Sequence, residues 1–369
     1  MSILKSLRIA IIGSRGIPAR YGGFETFAER LSVGLAGKNR EVIVYCASFL
    51  KNEKFDCKGV KRIFITTPRL KSLSKFVLSS FSLIHATLIE RPGVIIVLST
   101  SGGPLLWLPK IFKKKIVLTF DGIEWARLKW NKTASLCLKL FELLSVKFAD
   151  VIVADSVAIG QYIKGKYNKE SKYIPYGSEA CIYEEEDWEQ VKGRFSVSPN
   201  SYYLVVGRFV PENSFDLIIK GYVKSNSKKK LLIITDYKPS PTIQQYLLHR
   251  NILLGGPIYD RKKLFALRKN AFAYIHGHTA GGTNPSLIEA IASDNLIICI
   301  DVPYNREVMD QCALYFKNEN DLKNQIEYLE GNRENIEFEE IKKYYKRILH
   351  DRYNWKRVCD SYFEVIKSL

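Results

Sequence analysis

The chain has 369 residues, 46% of them hydrophobic, which is enough for two cores. Its formal charge is +18, and residues 1–150 hold 25 Lys+Arg against 10 Asp+Glu, so +15 of that charge lies in the first part. This asymmetry points to a polyanionic partner: nucleic acid, an anionic membrane surface or a phosphorylated substrate. No apolar run reaches spanning length, and residues 1–8 lead straight into a strand, so neither a transmembrane helix nor a signal peptide is expected. Seven cysteines without a Cys-x-x-Cys pair read as reduced thiols in a cytoplasmic protein, and five scattered histidines offer no zinc site.

In chain order, Leu7–Ile12 reads as a buried strand running into Gly13-Ser-Arg-Gly-Ile-Pro and then Tyr21-Gly-Gly-Phe-Glu-Thr. A helix follows over Phe24–Leu35, then strands at Glu41–Cys46 and Val60–Ile65. Leu73–Ile89 has helical spacing, Gly93–Leu98 is a strand, and Ser99-Thr-Ser-Gly-Gly-Pro follows it. The strand Ile116–Phe120 ends at Asp121-Gly-Ile-Glu-Trp; a helix over Ala134–Ala149 and a strand over Val151–Ala154 come next. An acidic patch, Glu184–Asp187, and the polar run Ser196–Ser201 lie near a join, after which the alternation restarts. Tyr203–Val206, Leu231–Thr235, Ile252–Leu254, Ala271–Ile275 and Leu296–Ile300 read as strands; Asp216–Tyr222, Arg261–Asn270 and Pro285–Ala292 read as helices. Residues Arg352–Leu369 form an amphipathic helix. Strands alternating with helices define parallel α/β sheets, and ligands in such sheets bind at the carboxyl ends of the strands.

The run His276-Gly-His-Thr-Ala-Gly-Gly-Thr-Asn-Pro-Ser-Leu-Ile-Glu-Ala is more than a turn requires. Gly281 and Gly282 remove side chains where strand turns to helix; Thr283, Asn284 and Ser286 supply cap oxygens around Pro285. The free N–H groups of that helix start make an anion site, with Glu289 one turn inside. Gly207-Arg-Phe-Val-Pro-Glu-Asn places Arg208 at a strand end, where its planar fork suits a diphosphate. Gly13-x-x-Gly16 has the wrong spacing for a dinucleotide fingerprint, so a nicotinamide cofactor is not expected. The loop instead brings Arg15 and Arg20 as charge, and Tyr21 and Phe24 as a flat surface for a sugar, beside Gly22 and Gly23. Asp121 and Glu124 are two carboxylates directly after a strand, able to act as a base or to stabilise a cationic transition state, and Trp125 suits stacking on a sugar. There is no Asp-x-Asp metal motif, so no divalent metal is expected, and Arg208 with helix N-termini must neutralise a diphosphate. No nucleic-acid-binding module is recognisable.

With these pieces in place, the chain resembles the retaining glycosyltransferases of family 4. Gly207-Arg-Phe-Val-Pro-Glu resembles that family's arginine loop, Ile174-Pro-Tyr-Gly its hinge-side Pro-x-Gly, and Pro285-Ser-Leu-Ile-Glu-Ala the second half of its paired-glutamate motif. Gly13-Ser-Arg-Gly-Ile-Pro, Tyr21-Gly-Gly-Phe-Glu-Thr, Asp121-Gly-Ile-Glu-Trp and Gly-Gly-Thr-Asn-Pro-Ser-Leu resemble the bacterial rhamnosyltransferase subgroup. Three positions depart from the family pattern: Gly281 replaces the first glutamate of the pair, Asn213 the usual lysine, and Asp121 a histidine found in many relatives.

The resemblance implies a GT-B fold: two Rossmann-like domains facing a central cleft, with the C-terminal helix crossing back. The expected domains are residues 1–172 for the acceptor, 173–351 for the nucleotide sugar, and the returning helix 352–369. It implies transfer, with retention, of L-rhamnose from dTDP-L-rhamnose to a saccharide on polyprenyl diphosphate, for a surface polysaccharide. The donor is assigned to Gly16, Arg208, Asn213, Ile258 and Tyr259 (near the base), His278, the Gly281–Asn284 loop, Ser286, and Glu289 on the ribose. The acceptor is assigned to Arg15, Tyr21, Gly22, Gly23, Phe24, Glu25 and Trp125. Asp121, Glu124 and Arg208 are the candidate catalytic residues; with no evident nucleophile, the leaving phosphate itself takes the acceptor's proton. The basic first part, with Leu73–Ile89 and Trp107–Lys115, implies docking on the inner face of the cell membrane. Two alternatives stay open: the same fold with a UDP- or GDP-sugar, and a non-catalytic sugar- or nucleotide-binding protein.

Overall fold

A computed structural model describes residues 7–19, 22–37, 40–56, 59–67, 73–127, 130–178, 180–236 and 244–369. The chain divides into two compact units. The first comprises β1 (Leu7–Ile12), α1 (Gly23–Leu35), β2 (Arg40–Ala47), β3 (Val60–Ile65), α2 (Leu73–His85), β4 (Val94–Leu98), α3 (Trp107–Ile111), β5 (Lys115–Phe120), α4 (Lys132–Phe148), β6 (Val151–Ala154), α5 (Val157–Tyr167) and β7 (Lys172–Tyr173). The second, Ser178–Asn354, comprises α6 (Glu185–Phe195), β8 (Tyr202–Val206), α7 (Phe215–Lys224), β9 (Lys230–Ile234), α8 (Gln244–Leu247), β10 (Ile252–Leu254), α9 (Arg261–Lys269), β11 (Ala273–His276), α10 (Pro285–Ala292), β12 (Ile297–Ile300), α11 (Pro303–Met309), β13 (Leu314–Phe316), α12 (Glu319–Asn332) and α13 (Phe338–Asp351). The final helix, α14 (Trp355–Lys367), belongs to the first unit.

The first sheet has the order β3-β2-β1-β4-β5-β6-β7 and the second β10-β9-β8-β11-β12-β13; every strand pair is parallel. In both, the winding reverses beside the first strand: between β1 and β4 in one unit, between β8 and β11 in the other. That reversal opens a crevice at the carboxyl ends, where open α/β sheets take ligands. The inner strands, such as Val94–Leu98, are apolar on both faces because helices cover both. Ile9, Ile11, Val42, Val44, Ile96 and Leu98 pack under α1 and α14, while Val97 and Phe120 face α2 and α5. Full burial of each such aliphatic side chain contributes about 1.5–3 kcal/mol.

The terminal helix is tied to the first unit by an aromatic cluster. Phe27 lies 5.8 Å from Trp355 and 5.6 Å from Tyr362, and Tyr176 lies 5.1 Å from Trp355. Thr119 Oγ1 and Tyr362 Oη are 2.8 Å apart. Tyr176 Oη donates to the carbonyl of Gly23 at 2.5 Å, which pins the start of α1.

Several boundaries differ from expectation. The first unit runs on through β7 to Gly177, because Lys172–Tyr173 pairs with β6; the join is thus past residue 172. The acidic patch Glu184–Asp187, near the join, opens α6: the Glu184 amide donates to Asp187, and Trp188, Val191 and Phe195 are buried. The predicted helix Leu73–Ile89 is α2 followed by a π turn over Ala86–Glu90. Among the described residues no helix is long and apolar enough to cross a membrane.

Candidate functional site

In the second unit the loops after β8 and β11 meet at the winding reversal. After β8, Gly207-Arg208-Phe209-Val210 leads into a 3-10 turn, Pro211–Asn213. Asn213 Nδ2 donates to the carbonyl of Arg208 at 2.7 Å, and its Oδ1 accepts from Nδ1 of His278, also at 2.7 Å. The amide of Thr279 donates to the carbonyl of Glu212 at 2.8 Å. Gly277 permits this crossing, since a Cβ there would collide with the carbonyl oxygen of Asn213. The Arg208 side chain is exposed at the strand end.

Beyond β11 the chain turns at Gly281 with φ +96° and enters α10. Asn284 caps that helix: its Oδ1 accepts from the Ser286 amide at 2.9 Å. Gly282 and Thr283 are buried. Ser286 Oγ lies 2.6 Å from Tyr274 Oη and accepts from Arg268 Nη2 at 3.2 Å, so its hydroxyl braces α10 against β11 and α9. Glu289, half-buried, forms a 2.6 Å ion pair with Arg268, whose side chain is only 4% exposed. Burial, and after it nearby His278, lowers the His276 imidazole to about 3, so His276 is neutral near pH 7. Two buried polar atoms at this crossing, Glu212 Oε1 and His276 Nε2, have no hydrogen-bond partner among the described residues. These are atoms that a bound ligand or ordered water would satisfy. Ile258 and Tyr259 follow β10, two strands from β8; Ile258 packs on the core and Tyr259 is 60% exposed.

In the first unit, Gly13 leaves β1 at φ +107°, and a Cβ there would strike the carbonyl of Leu98 on β4. The Arg15 amide donates to Glu25 Oε1 at 3.0 Å, which ties the loop to the first turn of α1. Gly16 sits against Cys46, and Gly22 precedes Gly23 at the helix start. Lys75 Nζ stands 4.6 Å over the ring of Phe24. Burial lowers the Lys75 ammonium, against the opposing pull of Glu124, Asp121 and Glu25. Burial raises the Asp121 carboxyl, while Arg127 and Lys75 hold it down. Glu124 pairs with Arg127 at 2.9 Å and accepts from the Trp130 indole at 3.1 Å. The Trp125 indole donates to Tyr162 Oη at 3.2 Å, with Lys139 4.4 Å over its ring. Tyr21 and Arg20 lie outside the described residues.

The structure thus gathers Arg208, Asn213, His278, Gly281–Asn284, Ser286 and Glu289 into one crossing, and Phe24, Glu25, Asp121 and Glu124 into one charged cluster. The sequence reading missed Arg268, Lys75 and Arg127. Arg127 follows Glu124 by three residues, a spacing that signals an ion pair on one helical turn. Arg268 and Lys75 sit on helices far along the chain from the loops they reach, with no local signal.

Residues 7–179 match the family model described as a domain of unknown function (DUF1972). Among proteins of curated function, none matches the chain. Solved structures resemble it over nearly its whole length. Sucrose-phosphate synthase from Thermosynechococcus elongatus is 17% identical, with 98% of each chain covered and a TM-score of 0.79. Anabaena HepE in complex with UDP-glucose is 13% identical over 98% of this chain and 100% of that one, with a TM-score of 0.75. A glycosyltransferase from Rickettsia africae is 16% identical over 98% of each chain, with a TM-score of 0.71. The fold is therefore GT-B.

Proposed function

We infer that the chain is a metal-independent glycosyltransferase that takes a sugar from a nucleoside diphosphate. The observation carrying this reading is the crossing of adjacent strands β8 and β11. There an exposed arginine and a capped helix start flank one crevice, held by the Asn213–His278 bond. Arg208 and the N-terminus of α10 neutralise the leaving diphosphate. Glu289, oriented by Arg268, takes the ribose hydroxyls, and Ile258 and Tyr259 flank the base. The charged cluster of the first unit takes the acceptor, with Glu25, Asp121 and Glu124 as polar contacts and Trp125 and Phe24 as apolar surfaces. Gly281 offers no side chain to the donor sugar, so backbone N–H groups of the Gly-Gly-Thr loop hold it. The departing phosphate takes the acceptor's proton, and the sugar is transferred with retention.

The motif resemblance assigns dTDP-L-rhamnose as donor and a saccharide on polyprenyl diphosphate as acceptor, met at the anionic inner face of the cell membrane. A second reading keeps the reaction and changes the donor to a UDP-sugar; it is favoured by the HepE structures, which are complexes with UDP, with UDP and glucose, and with UDP-glucose. Incubating the protein with each nucleotide sugar and a polyprenyl-diphosphate-linked saccharide tests both. The first reading expects rhamnosylated lipid and released dTDP. Product from a UDP-sugar alone selects the second, and no product from any donor rejects transfer.

A further inference from the structure

The helices on the sheet face opposite α1 and α14 carry apolar side chains in water. On α4, Leu136 is 69% exposed, Leu140 52% and Leu143 48%. At 3.6 residues per turn, these leucines and the exposed Lys132, Lys139 and Lys147 fall within an arc of about 100°. The opposite side of α4 is packed: Glu142 and Ser145 are buried. Stacking of Phe76 on Phe141 at 5.3 Å sets α2 beside α4, and α2 adds Phe81, 55% exposed. The short α3 adds Ile111, 65% exposed, next to the exposed Lys113. One exposed leucine is ordinary; a stripe of three continued by neighbouring helices marks an interaction surface.

We propose that this face docks the first unit on an anionic lipid bilayer, with the α4 leucines reaching the acyl boundary and the flanking lysines the headgroup phosphates. Charge decides the occupant. The one acid on α4, Glu142, is buried beneath the stripe and accepts from Lys166 at 2.9 Å and from Tyr162 and Tyr167 at 2.5 Å, so nothing on the helix offsets its exposed lysines. Cores of protein interfaces are depleted in lysine, whereas helices that lie in a membrane surface pair an apolar stripe with lysine flanks. The inference deepens the reading of a lipid-linked acceptor and rests on it only for its purpose; the binding itself needs neither donor nor acceptor.

Co-sedimentation with phosphatidylcholine vesicles, with and without phosphatidylglycerol, at low and high salt, tests it. The protein pellets with the anionic vesicles at low salt and is released by salt. The Leu136→Ser, Leu140→Ser, Leu143→Ser triple variant weakens partitioning by about tenfold or more. The Lys132→Glu, Lys147→Glu variant weakens it on the order of a hundredfold. Both variants keep the parent's circular dichroism, thermal midpoint and nucleotide-sugar binding, since every changed side chain is exposed. Protein left in the supernatant at low salt, or both variants pelleting as the parent does, overturns the proposal. So does a leucine variant that turns a dimer into a monomer in light scattering, which makes the occupant a second copy. Loss of nucleotide-sugar binding in the parent would instead reject the donor reading and leave this one standing.

Discussion

Arg268 Nη2 lies 2.6 Å from Glu289 Oε2, and the arginine is the buried member of the pair. The same guanidinium group donates to Ser286, so one side chain on α9 fixes the first two turns of α10. Glu289→Ala leaves a buried cation without its counter-ion. It lowers unfolding free energy by about 2–3 kcal/mol, less than for a fully buried pair because Glu289 is partly solvated. Glu289→Gln restores most of that stability but not donor affinity. Urea unfolding and donor titration on the two variants separate the structural role from the binding role.

Arg208 and Asn213 divide another pair of effects. Arg208 is exposed, so Arg208→Ala changes stability by no more than about 0.5 kcal/mol. It weakens diphosphate binding by about 10- to 100-fold, the worth of a charge-assisted fork. Asn213→Ala breaks the Asn213 bonds to the Arg208 carbonyl and to His278 while leaving the Thr279–Glu212 bond, and costs about 1 kcal/mol of stability, with a smaller loss of affinity. Calorimetric titration with dTDP and UDP checks the order of the two effects.

His276 makes stability depend on pH. Its folded-state value of about 3 lies below the ordinary 6.5, so only the unfolded chain gains its proton between them. The contribution is fully present above pH 6.5 and is lost as pH falls toward 3, with a slope of up to about 1.4 kcal/mol per pH unit. Comparing urea midpoints at neutral and mildly acidic pH for the parent and His276→Gln isolates it. The parent loses more on acidification than the variant.

Asp121 and Lys75 are coupled across the cluster of the first unit. Asp121→Asn and Lys75→Met each lower kcat by about tenfold or more with donor Kd unchanged, as expected for groups that act on the acceptor. Because burial raises the Asp121 carboxyl, the parent's kcat falls on acidification sooner than for an ordinary aspartate, and Asp121→Asn removes that limb. Full turnover in both Asp121→Asn and Glu124→Gln would end the carboxylate role.

The inner parallel strands are legible because both their faces are covered, whereas the edge strands β7 and β13, of two and three residues, are too short to read. Leu7–Ile12, Val94–Leu98 and Tyr202–Val206 are short apolar runs closed by glycine or serine. The helices α12 and α13 were not read, because their sequences are mainly polar and only residues such as Leu322, Ile326, Tyr345 and Ile348 reach the core. Patterning finds an element that buries a wide stripe and passes over one that buries a narrow one. The loops at the strand ends are legible for a chemical reason: glycine, asparagine and arginine cluster where the chain turns out of each strand. What holds those loops is not. The Arg268–Glu289 pair, the Asn213–His278 bond and the place of Lys75 beside Asp121 join residues brought together only by the winding of each sheet.

On the proposed reading, the crossing of β8 and β11 seats a nucleoside diphosphate sugar. Thermal stabilisation by dTDP-L-rhamnose, dTDP, UDP-glucose, GDP-mannose and NAD tests it most directly, on the parent chain and on Arg208→Ala. A raised midpoint is expected with dTDP-L-rhamnose and with dTDP, none with NAD, and loss of the shift in Arg208→Ala. A shift with no nucleotide sugar, or one that Arg208→Ala leaves intact, contradicts it.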